Sequence, residues 1–225
     1  MKTVFRVLCT VVFLVGLLVF SLAQANQHTQ TGSTAPDDLE PSQPFVVSMV
    51  QYRVGQDGTR TVMTRSTIYL KADGESRNVC SGADGRLTIY ATLHDGVYTK
   101  AAGSNSLTYV SPRATEEMSW FYRSAKSLRN NPNYARTEGI VGLKAYVQRH
   151  VIDNPESNIE WIEDSYSPRT GRCGLRMRLH FRDGTEVLQE AEQVEFEEVP
   201  NNLNADLKDL QISNLEEKRR KQSQK

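Results

Sequence analysis

The sequence predicts a mainly β (α+β) fold: an antiparallel meander of hairpins interrupted by one helix. Three observations carry this. Asp-Gly recurs five times, at Asp57-Gly58, Asp73-Gly74, Asp84-Gly85, Asp95-Gly96 and Asp183-Gly184, each between segments of strand character. This dipeptide supplies the positive φ angles of tight hairpins. The run Leu175 to Arg182 alternates apolar and basic residues without a break, the pattern of a strand with one buried and one wet face. One stretch, 115–129, instead places Met118, Phe121, Tyr122, Ala125 and Leu128 at helical spacing.

Taken in order, strands are expected at about 45–54, 61–71, 75–80, 86–93, 97–101 and 106–110. The helix follows, with Thr115 as a cap, Glu116 and Glu117 in its first turn and Asn130-Asn131-Pro132 ending it. Strands resume at about 134–139, 143–152, 157–164, 173–182 and 186–199. Gly139-Ile140-Val141-Gly142 lies between two of them and reads as a turn, not a phosphate loop. For the last hairpin, a three-residue loop at Asp183-Gly184-Thr185 sets Arg182 opposite Glu186, Arg178 opposite Glu190 and Arg176 opposite Glu192. The basic stripe is then a neutralised sheet surface, each pair contributing about 0.2–1 kcal/mol.

The ends differ in kind. Residues 1–25 read as a secretory signal: Lys2 and Arg6, an apolar run from Val11 to Phe20, then Ala23-Gln24-Ala25. An uncleaved membrane anchor is the alternative, at the low edge of spanning length. The chain is therefore expected to be exported to a periplasm or the extracellular space, or held at the membrane by that segment. Residues 26–44, with Pro36, Pro41 and Pro44, form a disordered linker. The sheet domain spans 45–200, and 201–225 is a flexible polar tail. Without the leader, 25 basic residues face 27 acidic ones. That balance excludes a nucleic-acid or acidic-membrane footprint, and no second apolar segment would span a membrane.

Chemistry is sparse. The histidines His28, His94, His150 and His180 show no metal spacing, and no nucleophile elbow or phosphate loop occurs. Cys173 and His180 lie an odd number of positions apart on one strand, so they point to opposite faces. No catalytic residue, metal site or cofactor is expected. Cys80 and Cys173 form a disulfide worth about 2–4 kcal/mol, or remain two buried thiols.

The order of elements is similar to one known group. A meander leads to a helix, then to Glu138-Gly139-Ile140-Val141-Gly142-Leu143-Lys144-Ala145-Tyr146, a strand carrying Trp161, and a long hairpin through Asp183-Gly184 ending at Glu198-Val199-Pro200. Over about residues 45–210 this resembles the lipoprotein-carrier-like (LolA/LolB-like) families of bacterial envelopes. The resemblance implies a strongly curved antiparallel sheet, an incomplete β-barrel wrapped on one or more helices, with an apolar cavity for acyl chains. Trp161, Tyr146, Leu179, Phe181 and the helix residue Phe121 are the lining expected of it. Three readings follow: an exported, non-enzymatic binder or carrier of an acyl chain, lipid or other apolar ligand, with a lipid, acyl chain or lipoprotein as its expected partner; an envelope structural or interaction protein with a filled core; and an envelope hydrolase. No protein partner is legible.

Overall fold

The computed structural model describes residues 44–214 except 72, 94–95, 113–123 and 172. The leader, most of the linker, Phe121 and the first part of the expected helix lie outside them.

Twelve strands form one sheet: β1 (Phe45–Val54), β2 (Arg60–Leu70), β3 (Ser76–Gly82), β4 (Leu87–Thr92), β5 (Gly96–Ala101), β6 (Ser106–Pro112), β7 (Tyr134–Ile140), β8 (Leu143–Val151), β9 (Ile159–Tyr166), β10 (Gly174–Phe181), β11 (Glu186–Glu195) and β12 (Gln211–Asn214). Their order is β12-β6-β5-β4-β3-β2-β1-β11-β10-β9-β8-β7. Two meanders thus join where β1 pairs β11, and every pairing is antiparallel except β12 on β6. The sheet is open, not closed into a barrel. Two short helices, α1 (Ala125–Arg129) and α2 (Ala205–Lys208), are present among the described residues.

Four of the five Asp-Gly turns work as their chemistry predicts, with Gly58, Gly74, Gly85 and Gly184 at positive φ, whereas Gly96 opens β5 without one. Asp57, Asp73, Asp84 and Asp183 each accept, through Oδ1, the backbone N–H two residues on. In Asp57 the bonds from Thr59, and in Asp183 those from Thr185, hold the carboxyl below the usual aspartate range. Gly184 takes φ 78°, and its N–H donates to Phe181 O. The last loop is therefore Arg182-Asp183-Gly184, one residue earlier than expected.

That displacement moves the whole register by two. His180 faces Glu186 and Arg176 faces Glu190, while Arg178 faces Leu188. Neutralisation persists: Arg176 reaches the facing Glu190 at 3.3 Å, and Arg178 reaches the diagonal Glu186 at 2.8 Å. Arg182 leaves the stripe and donates to Ser157 O and Asn154 O instead.

Among the described residues, separate apolar clusters hold the sheet. One joins Phe45, Val47 and Met49 of β1 to Leu175, Ala191 and the hairpin residues Ile140, Leu143 and Ala145. It links strands four and five places apart in the sheet, as curvature does. A second places Leu128 of α1 on Tyr146 and Tyr166. Ser124 caps α1, its Oγ accepting from Ser127 N at 3.0 Å. The third gathers Ala91, Tyr98 and Leu107 beneath Leu207.

Two expectations are corrected. The stretch from 201, read as a flexible tail, supplies α2 and β12, with Leu207 fully buried. Its leucine spacing outweighs its polar composition, because Leu207 and Leu210 find an apolar face to cover. Cys80 and Cys173 are free thiols. They belong to β3 and the approach to β10, four strand spacings apart along the sheet, whereas a bridge needs Cα atoms within about 7 Å. Burial pushes both thiols up to about 12.

Candidate ligand-binding face

Residues opposite one another in an antiparallel ladder share a face, and neighbours alternate between faces. Applied to β8–β11, this rule sorts the expected lining. Tyr146 faces Tyr166, Ile162 faces Leu179, and Leu179 faces Val187. All five are buried; Tyr146 and Leu179 are each 2% exposed. On this face Ile162, Leu179 and Val187 form an apolar strip across three strands. Met177 lies on it half-buried, between Asp164 and Gln189. The face is not wholly apolar, since Gln148 is paired with Asp164 in the same register.

The Tyr146 end is the better furnished. Tyr134 leans on Tyr146 with ring centroids 6.4 Å apart, and its hydroxyl bonds Thr137 Oγ1 at 2.8 Å. Arg129 of α1 reaches the Tyr146 hydroxyl at 3.3 Å and lies 5.5 Å from its ring centroid. Phe181 is half-buried at the far end of β10, opposite Ile159 beyond a bulge.

Trp161 stands apart. It faces His180 in the register, on the side of the sheet opposite Leu179. Its indole is held by two cationic or stacking neighbours: His180 stacks at 4.7 Å and 8°, and the Arg149 guanidinium lies 4.2 Å from the ring centroid. Its alternation with Ile162 was visible in the sequence. Its size, not its parity, made it look like lining.

That opposite side is a lattice of ion pairs. Arg136 grips Glu163 through both nitrogens, at 2.9 and 3.0 Å, and Arg149 approaches Glu163 at 3.8 Å. Arg136 also meets Glu138 at 3.6 Å, and Arg176 links Glu138 to Glu190, which Arg60 reaches from β2 at 3.2 Å. Arg65 meets Glu192. His180 sits between Glu186 at 3.2 Å and Glu160 at 3.6 Å. This run was only partly legible, because Arg60, Arg65 and Arg136 arrive from strands whose register no local pattern fixes. Among the described residues, no group of three His, Cys, Asp or Glu is placed to share a metal ion. No described helix is long and apolar enough to cross a membrane.

No family model matches the chain, and no curated protein matches it. Solved structures do. The chain is similar to a LolA superfamily protein from Nitrosomonas europaea (9% identity, 74% of this chain and 92% of that one, TM-score 0.37). It is also similar to an uncharacterised conserved protein from Thermus thermophilus (14%, 77% and 91%, TM-score 0.44), and to the lipoprotein LppX of Mycobacterium tuberculosis (12%, 69% and 88%, TM-score 0.35).

Proposed function

We propose that this is an exported, non-enzymatic binder or carrier of an acyl chain, lipid or other apolar ligand, and that the ligand lies along the face of Tyr146, Ile162, Met177 and Leu179. The observation that carries the reading is the contrast between the two sides of β8–β11. One side carries the network of ion pairs, with Leu188 and Val147 buried among them. The other carries a buried apolar strip flanked by half-buried Met177, Tyr134 and Phe181. Sites for small apolar ligands combine such surface with a few polar groups, here Gln148 and Asp164.

Titration with a fluorescent fatty-acid probe tests it. Saturable binding is expected, lost in Met177→Glu, where a charge stands on the half-buried part of the strip, and kept in Arg149→Ala on the opposite side. An absence of saturable binding to the wild-type protein contradicts the proposal. It then favours the second reading, a filled-core envelope protein, to which Leu128 packed between Tyr146 and Tyr166 already lends weight.

A further inference from the structure

We propose that the ligand of this face is an amphiphile with an uncharged, hydrogen-bond-donating group, such as a hydroxyl or an amide, and that a polar row crossing the face recognises that group. The inference rests on the apolar-ligand reading above. The row follows from the strand register. Gln148 of β8 faces Asp164 of β9, which faces Met177 of β10. Met177 faces Gln189 of β11, Gln189 faces Gln51 of β1, and Gln51 faces Thr64 of β2. Facing residues share one side of the sheet, so these side chains stand in a line across successive strands. Met177 is the one apolar member of the line. Three of the polar members are deeply buried: Gln148 is 4% exposed, Gln51 8% and Asp164 9%.

The line lies between apolar rows. On one side of it Tyr146 faces Tyr166, and Ala191 faces Met49, all buried. On the other side run Ile162, Leu179 and Val187, also buried. Same-face positions along a strand are about 7 Å apart. A chain running along the strands from one apolar row to the other must therefore cross the polar line. A plain hydrocarbon there shuts polar groups away from water without replacing their hydrogen bonds, which is unfavourable. A ligand that brings a hydrogen-bonding group to the line avoids that cost.

The side chains of the line state the chemistry of that group. Gln51 accepts through Oε1 from Thr64 Oγ1 at 3.2 Å, a bond that engages its acceptor and not its N–H donors. Gln189 donates through Nε2 to Met49 Sδ at 3.5 Å, and a thioether is a weak acceptor that a ligand oxygen can better. Asp164 sets the sign. A carboxylate accepts at several positions, so it suits a donor on the ligand. Its charge, in a face where fields are poorly screened, opposes an anionic head such as a fatty-acid carboxylate. Arg53, Arg129 and Lys144 bring positive charge to this side, Arg53 beside Val187 and the other two at the Tyr146 ring. All three are exposed, where water and salt screen them.

The test is displacement of a fluorescent fatty-acid probe from the full chain by competitors that share one acyl chain. Monopalmitoylglycerol has hydroxyl donors and no charge, methyl palmitate has neither donor nor charge, and palmitate has the charge. Monopalmitoylglycerol should displace the probe at about 10-fold lower concentration than either of the others, the scale of one or two hydrogen bonds. Gln189→Leu, at a half-buried position, should erase its advantage over methyl palmitate. Asp164→Asn should strengthen palmitate relative to methyl palmitate. The wild-type ranking needs no variant, so it decides the matter even if one of them folds poorly. If the probe binds but monopalmitoylglycerol holds no advantage, the inference is overturned and the apolar site stands. A ranking unchanged in both variants likewise overturns it. If the wild-type protein takes up no probe, the apolar-ligand reading itself fails, and this inference with it.

Discussion

Arg136 of β7 and Glu163 of β9 meet across the intervening strand β8, with Nη1 on Oε1 at 2.9 Å and Nη2 on Oε2 at 3.0 Å. The carboxylate is 5% exposed, so this pair ties the last strand of the sheet to its third-last. The bonds from Arg136 hold the Glu163 carboxyl below the usual glutamate range despite its burial. Glu163→Gln should therefore destabilise by about 1–3 kcal/mol, the scale of a hydrogen bond to a charged group. The folded-state pKa is depressed, so the contribution is present above the unfolded value and lost as pH falls through the folded one. Urea denaturation at neutral and acidic pH checks this. The difference between wild type and variant should shrink in acid.

The two sides of β10 predict opposite sensitivities. Leu179→Ala removes a fully packed side chain between Ile162 and Val187 and should cost about 2–5 kcal/mol. Arg178→Ala removes a partly exposed partner of Glu186 and should cost about 1 kcal/mol or less. Equal losses in chemical denaturation would mean that the assignment of faces is wrong.

Much of this was legible locally. Strand limits agree with the sequence reading to within a few residues, because Asp-Gly turns and alternation are short-range signals. The final hairpin slipped by one loop residue, since Asp183-Gly184 fixes the turn but not which neighbour closes it. That single residue moved Glu190 from Arg178 to Arg176. β12 was invisible: four residues without alternation, paired in parallel with a strand about a hundred positions earlier, leave no local mark. Trp161 was misplaced because its large surface was weighed above its parity with Glu163 and Ser165.

Val141 is the one described non-glycine residue with positive φ, at 44°, in the two-residue turn joining β7 to β8. A β-branched side chain is poorly suited to that conformation, which asparagine tolerates. Val141→Asn should raise stability by about 1 kcal/mol, the scale of left-handed strain. An unchanged or lower denaturation midpoint would contradict this.

The cysteines give a plain chemical test. Cys80 and Cys173 are neutral thiols at neutral pH, with their pKa pushed up to about 12 by burial. Maleimide labelling at both should be slow in the native protein and rapid once it is unfolded. Reductant should leave the thermal midpoint unchanged. A fall in the midpoint on reduction would restore the disulfide.

Photo-crosslinking with a diazirine fatty acid, mapped by mass spectrometry, tests the proposed function most directly. The account predicts adducts on β8, β9 and β10 at Tyr146, Met177 and their neighbours on that face, suppressed by unlabelled fatty acid. Adducts confined to the Arg136, Glu163 and Arg178 side, or no adduct that the competitor suppresses, would contradict it.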